Sequence, residues 1–275
     1  MPTTHTSPTH AHMTPKTVAK PWSNPSTGRV LLRELQALDW SRSQIADVGA
    51  GRGGFSKLLG DHLVERGIEP ARVVHACDLI PESFEYEAIR CLPILPGGRL
   101  PFEDNSMDAA ISMEVIEHVQ DQFFFLSELI RITKPGGIVL VTTPNTHHLL
   151  SRLRTLTTGF PTLFDPLPLS THDPRLLGGH IHPIAPYFLL YTGHRVGLTD
   201  LRLLPDRRKS SAFLWTLLLL PALLAGRAAH RMRLRIKHPA ILKENSIWLQ
   251  RVDSLDMLTS RTAILAARKP AEAAT

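Results

Sequence analysis

The chain has 275 residues, with 31 Lys and Arg against 25 Asp and Glu, a net charge of +6 with histidine neutral. At 43% apolar and 20% charged residues it is too apolar for disorder throughout, and it is long enough for one α/β domain with additions or two small ones. Its two cysteines, Cys77 and Cys91, sit in or near apolar runs and far from CxxC spacing, which excludes a disulfide scaffold and makes a reducing compartment the default.

No acid precedes Glu34, whereas Lys16, Lys20 and Arg29 do. Residues 1–28, rich in Thr, Pro and His, lack an apolar h-region and are expected to be a flexible tail rather than a secretory signal. Their His5, His10 and His12 are expected to bind metal no more than adventitiously. VLLRELQAL, from Val30, predicts a helix, and the apolar run Ile45 to Val48 a strand that ends in glycines. FSKLLGDHLVERG then predicts a helix and ARVVHACDL a second strand closing on Asp78. A short third strand is expected near Ile94, and SMDAAISME is a clearer buried strand. QDQFFFLSELIRIT is a predicted helix stopped by Lys134, Pro135, Gly136 and Gly137, and IVLVTTPN a strand after it. This alternation implies an α/β fold, a mostly parallel, doubly wound sheet with helices on both faces.

Beyond Asn145, HLLSRLRTL and IAPYFLLYTGHRVG carry helical spacing, and TDLRLLP and SRTAILAARKP are candidate strands. Roughly 50 residues separate those two strands, against the usual connection of about 4 to 6. The expected organisation is a tail over 1–28, a core over 29–205, a hydrophobic and basic insertion over 206–258, and a last strand with tail over 259–275.

Gly49, Gly51 and Gly53 follow the first strand as GxGxG, and Gly49, Gly51 and Gly54 also read as GxGxxG. Such glycines let the backbone turn tightly into a helix and approach a ligand whose polar groups meet free amides. Asp78 ends the second strand where a carboxylate can accept from two ribose hydroxyls. Asp47, two residues before the first glycine, is an acid at the end of a buried strand, which calls for a partner or a ligand.

DVGAGRGG, CDL, LPFEDNSMDAAISMEVIEHV and KPGGIVLVTTPN, in that order, resemble the class I S-adenosylmethionine-dependent methyltransferases, particularly the small-molecule, type 11 and ubiquinone-pathway-like branch. The resemblance runs from about Leu31 to Gly197, and Ser260 to Pro270 resembles the family's last strand. It implies a seven-stranded Rossmann-like sheet in which Asp47, Gly49, Gly51 and Gly53 hold the methionine end of S-adenosylmethionine and Asp78 its ribose. The family's usual acid before LPF is replaced here by PGGR, so adenine recognition is expected to rest on backbone or on residues near Leu100.

MEVIEHVQD places Glu114, Glu117 and His118 at i, i+3 and i+4, one face if the segment is helical. Such ligands suit Mg²⁺, Mn²⁺ or Zn²⁺, and ExxEH is similar to the metal-carrying segment of ubiquinone-pathway and small-RNA methyltransferases, which add a later histidine. His172, His180 and His182 are available for that place, with His180 or His182 preferred. The expectation is nonetheless no metal, with His118 as general base and Glu114 lining the site as the catalytic residues, and Glu114, Glu117, His118 and His180 as the ligand set should a divalent cation bind.

The stretch from Ser210 to Gly226 is uncharged and contains Pro221; Arg207, Arg208 and Lys209 precede it, and Arg227, Arg231, Arg233, Arg235 and Lys237 follow. It reaches only the lower bound of about 17 residues for a spanning helix. A single crossing between two strands of one sheet is also topologically impossible. A dip into one leaflet or a lid over the domain remains. No aromatic residues interleave with the cations of RAAHRMRLRIKH in the way stacking platforms require, which argues against nucleic acid. The expected activity is methyl transfer to an oxygen of a small or lipid-linked acceptor by a cytoplasmic protein that touches a membrane surface through 207–237. The alternatives are an NAD-dependent oxidoreductase using GxGxxG and a non-catalytic membrane adaptor.

Overall fold

The computed structural model describes residues 25–169, 179–208 and 210–271. A first helix, α1 (Pro25–Glu34), is followed by β1 (Ile45–Val48), α2 (Gly54–Val64), β2 (Val74–Asp78), β3 (Cys91–Pro93) and β4 (Met107–Met113). Then come α3 (Gln122–Ile132), β5 (Thr133–Pro144), α4 (Leu149–Thr158), α5 (Pro186–Arg195) and β6 (Thr199–Pro205). Five helices, α6 (Ser210–Leu218), α7 (Leu220–Lys237), α8 (Pro239–Glu244), α9 (Ser246–Val252) and α10 (Leu255–Thr259), lead to β7 (Thr262–Arg268).

The strands form one seven-stranded sheet in the order β3-β2-β1-β4-β5-β7-β6. β1 to β5 pair in parallel, while β7 runs antiparallel to both β5 and β6. The central strands are nearly uninterrupted apolar runs because both their faces are covered. Ala46 and Val48 of β1, with Val139 and Val141 of β5, join Leu126 and Leu129 of α3 and Leu189 and Leu190 of α5. Ile45, Ile138 and Leu140 point the other way, to Leu31 of α1 and Phe55, Leu59 and Leu63 of α2. Period-two alternation thus sends successive residues into opposite cores.

Three boundaries differ from the sequence reading. Helix α1 as described, Pro25–Glu34, already occupies residues 25–28 of the expected tail. The stretch Lys134 to Gly137 is not a separate loop: β5 starts at Thr133, paired with Met107, and the register jumps so that Ala109 meets Ile138. Gly136, at φ 76°, and the close packing of Gly137 against the Asp108 carbonyl make that irregularity possible. Third, Glu114 to His118 is not α-helical, as described below. The tail histidines His5, His10 and His12, and His172, lie outside the described residues.

Candidate active site

All five parallel strands point their carboxyl ends to one edge of the sheet, the usual place for a ligand in open α/β folds. At β1 that edge is the glycine loop. Gly49, Gly51 and Gly53 have φ values of 73°, 53° and 83°, a left-handed conformation that side chains resist. The loop is anchored from below, since Gly49 N and Ala50 N both donate to the Cys77 carbonyl at 2.8 and 3.1 Å. A Cβ on Gly49 would lie 2.4 Å from Val115, and one on Gly53 2.8 Å from Phe84, whereas one on Gly51 would meet nothing within 4 Å. The loop is therefore packed at both ends and open in the middle.

Two carboxylates flank that opening. Asp78 accepts from Gly51 N through Oδ2 at 2.8 Å and from Ile80 N through Oδ1 at 2.8 Å, so it fixes the loop while each oxygen retains a lone pair. Asp47 is buried on the α2 side of β1, where its Oδ2 accepts from Ser56 Oγ at 2.6 Å. Burial pushes its pKa up to about 6, and the charge of Asp78 adds to the rise.

At the end of β4 the chain does not continue as an α-helix. Glu114 takes φ 54°, its N–H directed at the Thr142 carbonyl and hydroxyl at 3.1 Å, and a single 3₁₀ turn spans Ile116–His118. The helical face expected for Glu114, Glu117 and His118 therefore does not form. The groups that act on the Glu114 carboxyl lie at the start of β7 and the end of β6, namely Arg261, Asp206 and Thr262. Glu117, His118 and His180 do converge: one donor atom from each lies within 4.8 Å of the others. Glu117 is fully buried, neither carboxyl oxygen has a hydrogen-bond donor, and burial first, with Glu114's charge after it, raises its pKa to about 8. Its carbonyl accepts from Ile181 N and His182 N, each at 3.0 Å, and this holds the 179–182 segment against the turn. His180 Nε2 stands 3.9 Å from Glu117 Oε1, and its ring packs edge-on against His118 with centroids 4.8 Å apart. His118 Nδ1 lies 3.1 Å from the Gly179 carbonyl, which makes it the donor and leaves Nε2 with a lone pair. The surrounding packing lowers the pKa of His118, so it is neutral at pH 7. His182 turns its own Nδ1 to the Val119 carbonyl at 2.7 Å.

Residues 46–141 match a family model described as a methyltransferase domain. This stretch resembles the S-adenosylmethionine-dependent methyltransferases. The chain is 50% identical over 106 residues to a protein of Mycolicibacterium smegmatis named "Probable S-adenosylmethionine-dependent methyltransferase", a match covering 37% of this chain and 38% of that one. It is 34% identical over 101 residues to the 2-methyl-6-phytyl-1,4-hydroquinone methyltransferase of Synechocystis, covering 35% of this chain and 30% of the relative. The chain thus spans well under half the length of these curated relatives. In fold it is similar to a SAM dependent methyltransferase from Archaeoglobus fulgidus, with a TM-score of 0.51, 15% identity, and coverage of 88% of this chain and 92% of that one.

The sheet order separates this fold from a common dinucleotide-binding one. A dinucleotide-binding sheet of the common kind runs 3-2-1-4-5-6 in parallel, whereas here an antiparallel β7 is wedged between β5 and β6. The open glycine loop and two flanking carboxylates also fit S-adenosylmethionine, which offers a ribose diol and positive charge. They fit a pyrophosphate less well, since Asp47 and Asp78 would repel it. Sequence reasoning placed Asp47, Gly49, Gly51, Gly53 and Asp78 at one edge, and preferred His180 or His182 among the later histidines; of these His180 joins Glu117 and His118. It did not anticipate Val115, Phe84 and Tyr86 as the walls that fix the loop; only their apolar character next to the motifs hinted at it.

Proposed function

We propose that this protein transfers the methyl group of S-adenosylmethionine to an oxygen of a small or lipid-linked acceptor. The observation that carries the reading is the glycine loop, closed at Gly49 and Gly53, open at Gly51, and bordered by Asp47 and Asp78. In this reading Asp78 exchanges part of its loop hydrogen bonding for the ribose hydroxyls, and the loop with Asp47 receives the methionine end. When bound, the cofactor supplies an already activated methyl on a sulfonium. The protein's work is then to align the acceptor, exclude water and take a proton. His118 suits the last task, being neutral with Nε2 available to a hydroxyl. Glu114, at the same strand end and with its pKa also raised by burial, is the other candidate for the proton.

The convergence of Glu117, His118 and His180 favours a second reading of the same step. A divalent cation held there would polarise the acceptor hydroxyl, and Glu117 would gain the partner it lacks. The names of relatives that act on a hydroquinone and on tocopherol support an aromatic, lipid-soluble acceptor.

The insertion supports delivery of that acceptor from a membrane surface. Helices α6 and α7 meet at a bend of 70°, and no single helix among the described residues is long and apolar enough to cross a bilayer. Leu214, Leu217, Leu218 and Leu224 are all more than half exposed, and only Ala212 and Thr216 of α6 are buried, so the pair is not a buried lid. Apolar side chains at the bend, flanked by Arg207, Arg208, Arg233, Arg235 and Lys237 without an intervening acid, match one leaflet of an anionic bilayer.

The test is calorimetric titration of the protein with S-adenosylmethionine, S-adenosylhomocysteine and NAD, followed by methyl transfer to quinol and lipid-extract acceptors. Micromolar binding of the first two and labelled product in an ether linkage are expected. Binding of NAD alone would overturn the reading.

A further inference from the structure

A second cluster lies outside the site so far described. Arg227 and Arg231, one turn apart on α7, both face Asp253, just after α9. Arg227 Nε is 3.3 Å from Asp253 Oδ1, and Arg231 Nη2 is 3.4 Å from Asp253 Oδ2. Arg152 of α4 lies near enough to act on both: burial and then the charge of Arg227 depress its pKa, and Asp253 opposes the shift. Three guanidinium charges thus share one carboxylate.

Its hydrogen bonding is incomplete in a directional way. Arg227 Nε and Nη2 and Arg231 Nε are shut off from solvent, yet none has an acceptor in hydrogen-bond geometry. Asp253 takes one long bond, from Arg231 Nη2, and Arg227 Nε beside it is not in hydrogen-bond geometry. Buried guanidinium donors are normally satisfied, and like charges brought together need a counter-charge. His147, two residues past Asn145 at the end of β5, adds none, since burial followed by the charge of Arg152 lowers its pKa to about 4 and leaves it neutral.

We propose that Arg227 and Arg231, with the charge of Arg152 nearby, form a receptor for a phosphoryl group. Forked N–H donors match tetrahedral oxyanions in pairs. A phosphate monoester carries about −1.5 to −2 at neutral pH, close to the charge that Asp253 leaves uncompensated. The ligand is a phosphorylated small molecule or the phosphate of an anionic lipid headgroup. Because α4 follows β5, the cluster lies toward the same sheet edge as the glycine loop. That the phosphate belongs to the methyl acceptor rests on the methyl-transfer reading; that the cluster binds phosphate does not.

The experiment uses the full chain without S-adenosylmethionine, so that its outcome is independent of cofactor binding. Inorganic phosphate is titrated calorimetrically, and vesicles of phosphatidylcholine with and without phosphatidylglycerol are tested by flotation. The variants are R227M/R231M, which keeps the alkyl stems, D253N, which frees the donors, and R29Q/R33Q, which removes two exposed charges from α1. If phosphate is bound, R227M/R231M should weaken it at least tenfold, D253N should tighten it, and R29Q/R33Q should leave it unchanged. Response to free phosphate assigns a small phosphorylated ligand. Response to phosphatidylglycerol vesicles alone, lost in R227M/R231M but kept in R29Q/R33Q, assigns a lipid headgroup. Silence of the wild-type chain to both probes, or equal binding by R227M/R231M, overturns the proposal. D253N guards against a folding artefact, since a merely structural role for the cluster predicts no gain in affinity.

Discussion

Replacing Asp47 with Asn turns its burial into a measurable dependence on pH. The carboxyl ionises at about 6 rather than the ordinary 3.8, chiefly because burial strips the anion of water and only Ser56 compensates. Each pKa unit is worth about 1.4 kcal/mol, so the rise corresponds to about 3 kcal/mol. Since the folded-state pKa is raised, the stabilising contribution is complete below pH 3.8, falls away as pH climbs toward 6, and is absent above. D47N does not titrate. The amide leaves one N–H pair facing an acceptor-poor site, a penalty of about 1–3 kcal/mol that is the same at every pH. The difference in unfolding free energy between wild type and D47N should therefore move by about 2.5 kcal/mol in favour of the variant between pH 4 and pH 7, the rest of the change lying below pH 4. Urea unfolding of both proteins at four pH values measures this, with the other carboxylates cancelling in the difference. A difference that stays constant within 1 kcal/mol would refute the reasoning.

Three further outcomes follow from the same geometry. Asp78→Ala removes the acceptor of Gly51 N and Ile80 N together with the expected ribose contacts, so S-adenosylhomocysteine should bind about 10- to 100-fold more weakly by calorimetry, the equivalent of roughly 1.5–3 kcal/mol for charged hydrogen bonds; unchanged affinity would remove Asp78 from the site. Gly49→Ala imposes a side chain at φ 73° and 2.4 Å from Val115, and should destabilise by about 2–4 kcal/mol in thermal or urea unfolding. Adding Val115→Ala should recover the steric part and leave the backbone part. Glu117, whose pKa lies near 8, should destabilise the folded chain progressively from pH 4.5 to 8, so Glu117→Gln should be the more stable protein at pH 8; Mn²⁺ should raise the melting temperature of wild type at that pH and leave Glu117→Gln unmoved.

Much of this was legible in the sequence because the relevant signals are local. A buried parallel strand announces itself as an apolar run, and the bounds of β1 coincide with the run Ile45 to Val48. The glycine spacing marks a strand-to-helix turn, and Asp78 is found by being last in its strand. What was not legible depends on groups far apart along the chain. Whether Glu114 shares a face with Glu117 is decided by Thr142, which captures the Glu114 N–H and diverts the chain into a 3₁₀ turn. His180 is placed by Glu117's own carbonyl, through the N–H groups of Ile181 and His182. Arg152 and Arg227 read as ordinary cations of two basic helices, and only tertiary packing of α4 and α7 around Asp253 makes them a cluster.

The direction of the last two strands explains why the insertion bears on the site. β7 opposes β5, and β6 opposes β7, so β6 runs parallel to the first five strands and ends at their carboxyl edge, where β7 begins. Pro144, Thr262, Ala263 and Pro205 are register neighbours there. Everything between β6 and β7 must therefore leave and re-enter beside the glycine loop's edge of the sheet. The joint is fastened: Asp206 accepts from Arg261 N and Thr262 N at 3.1 Å, and Asp256 binds both Arg208 and Arg251. Asn145, at the end of β5, donates to the carbonyls of Met257 and Ser260 at 2.7 and 2.9 Å. With its base fixed on that edge and its leucines turned outward, the insertion brings an apolar surface and a cationic cluster to the glycine loop's side of the domain. Under the proposed reaction, an apolar acceptor with an anionic group would meet complementary chemistry at both ends on its way to His118.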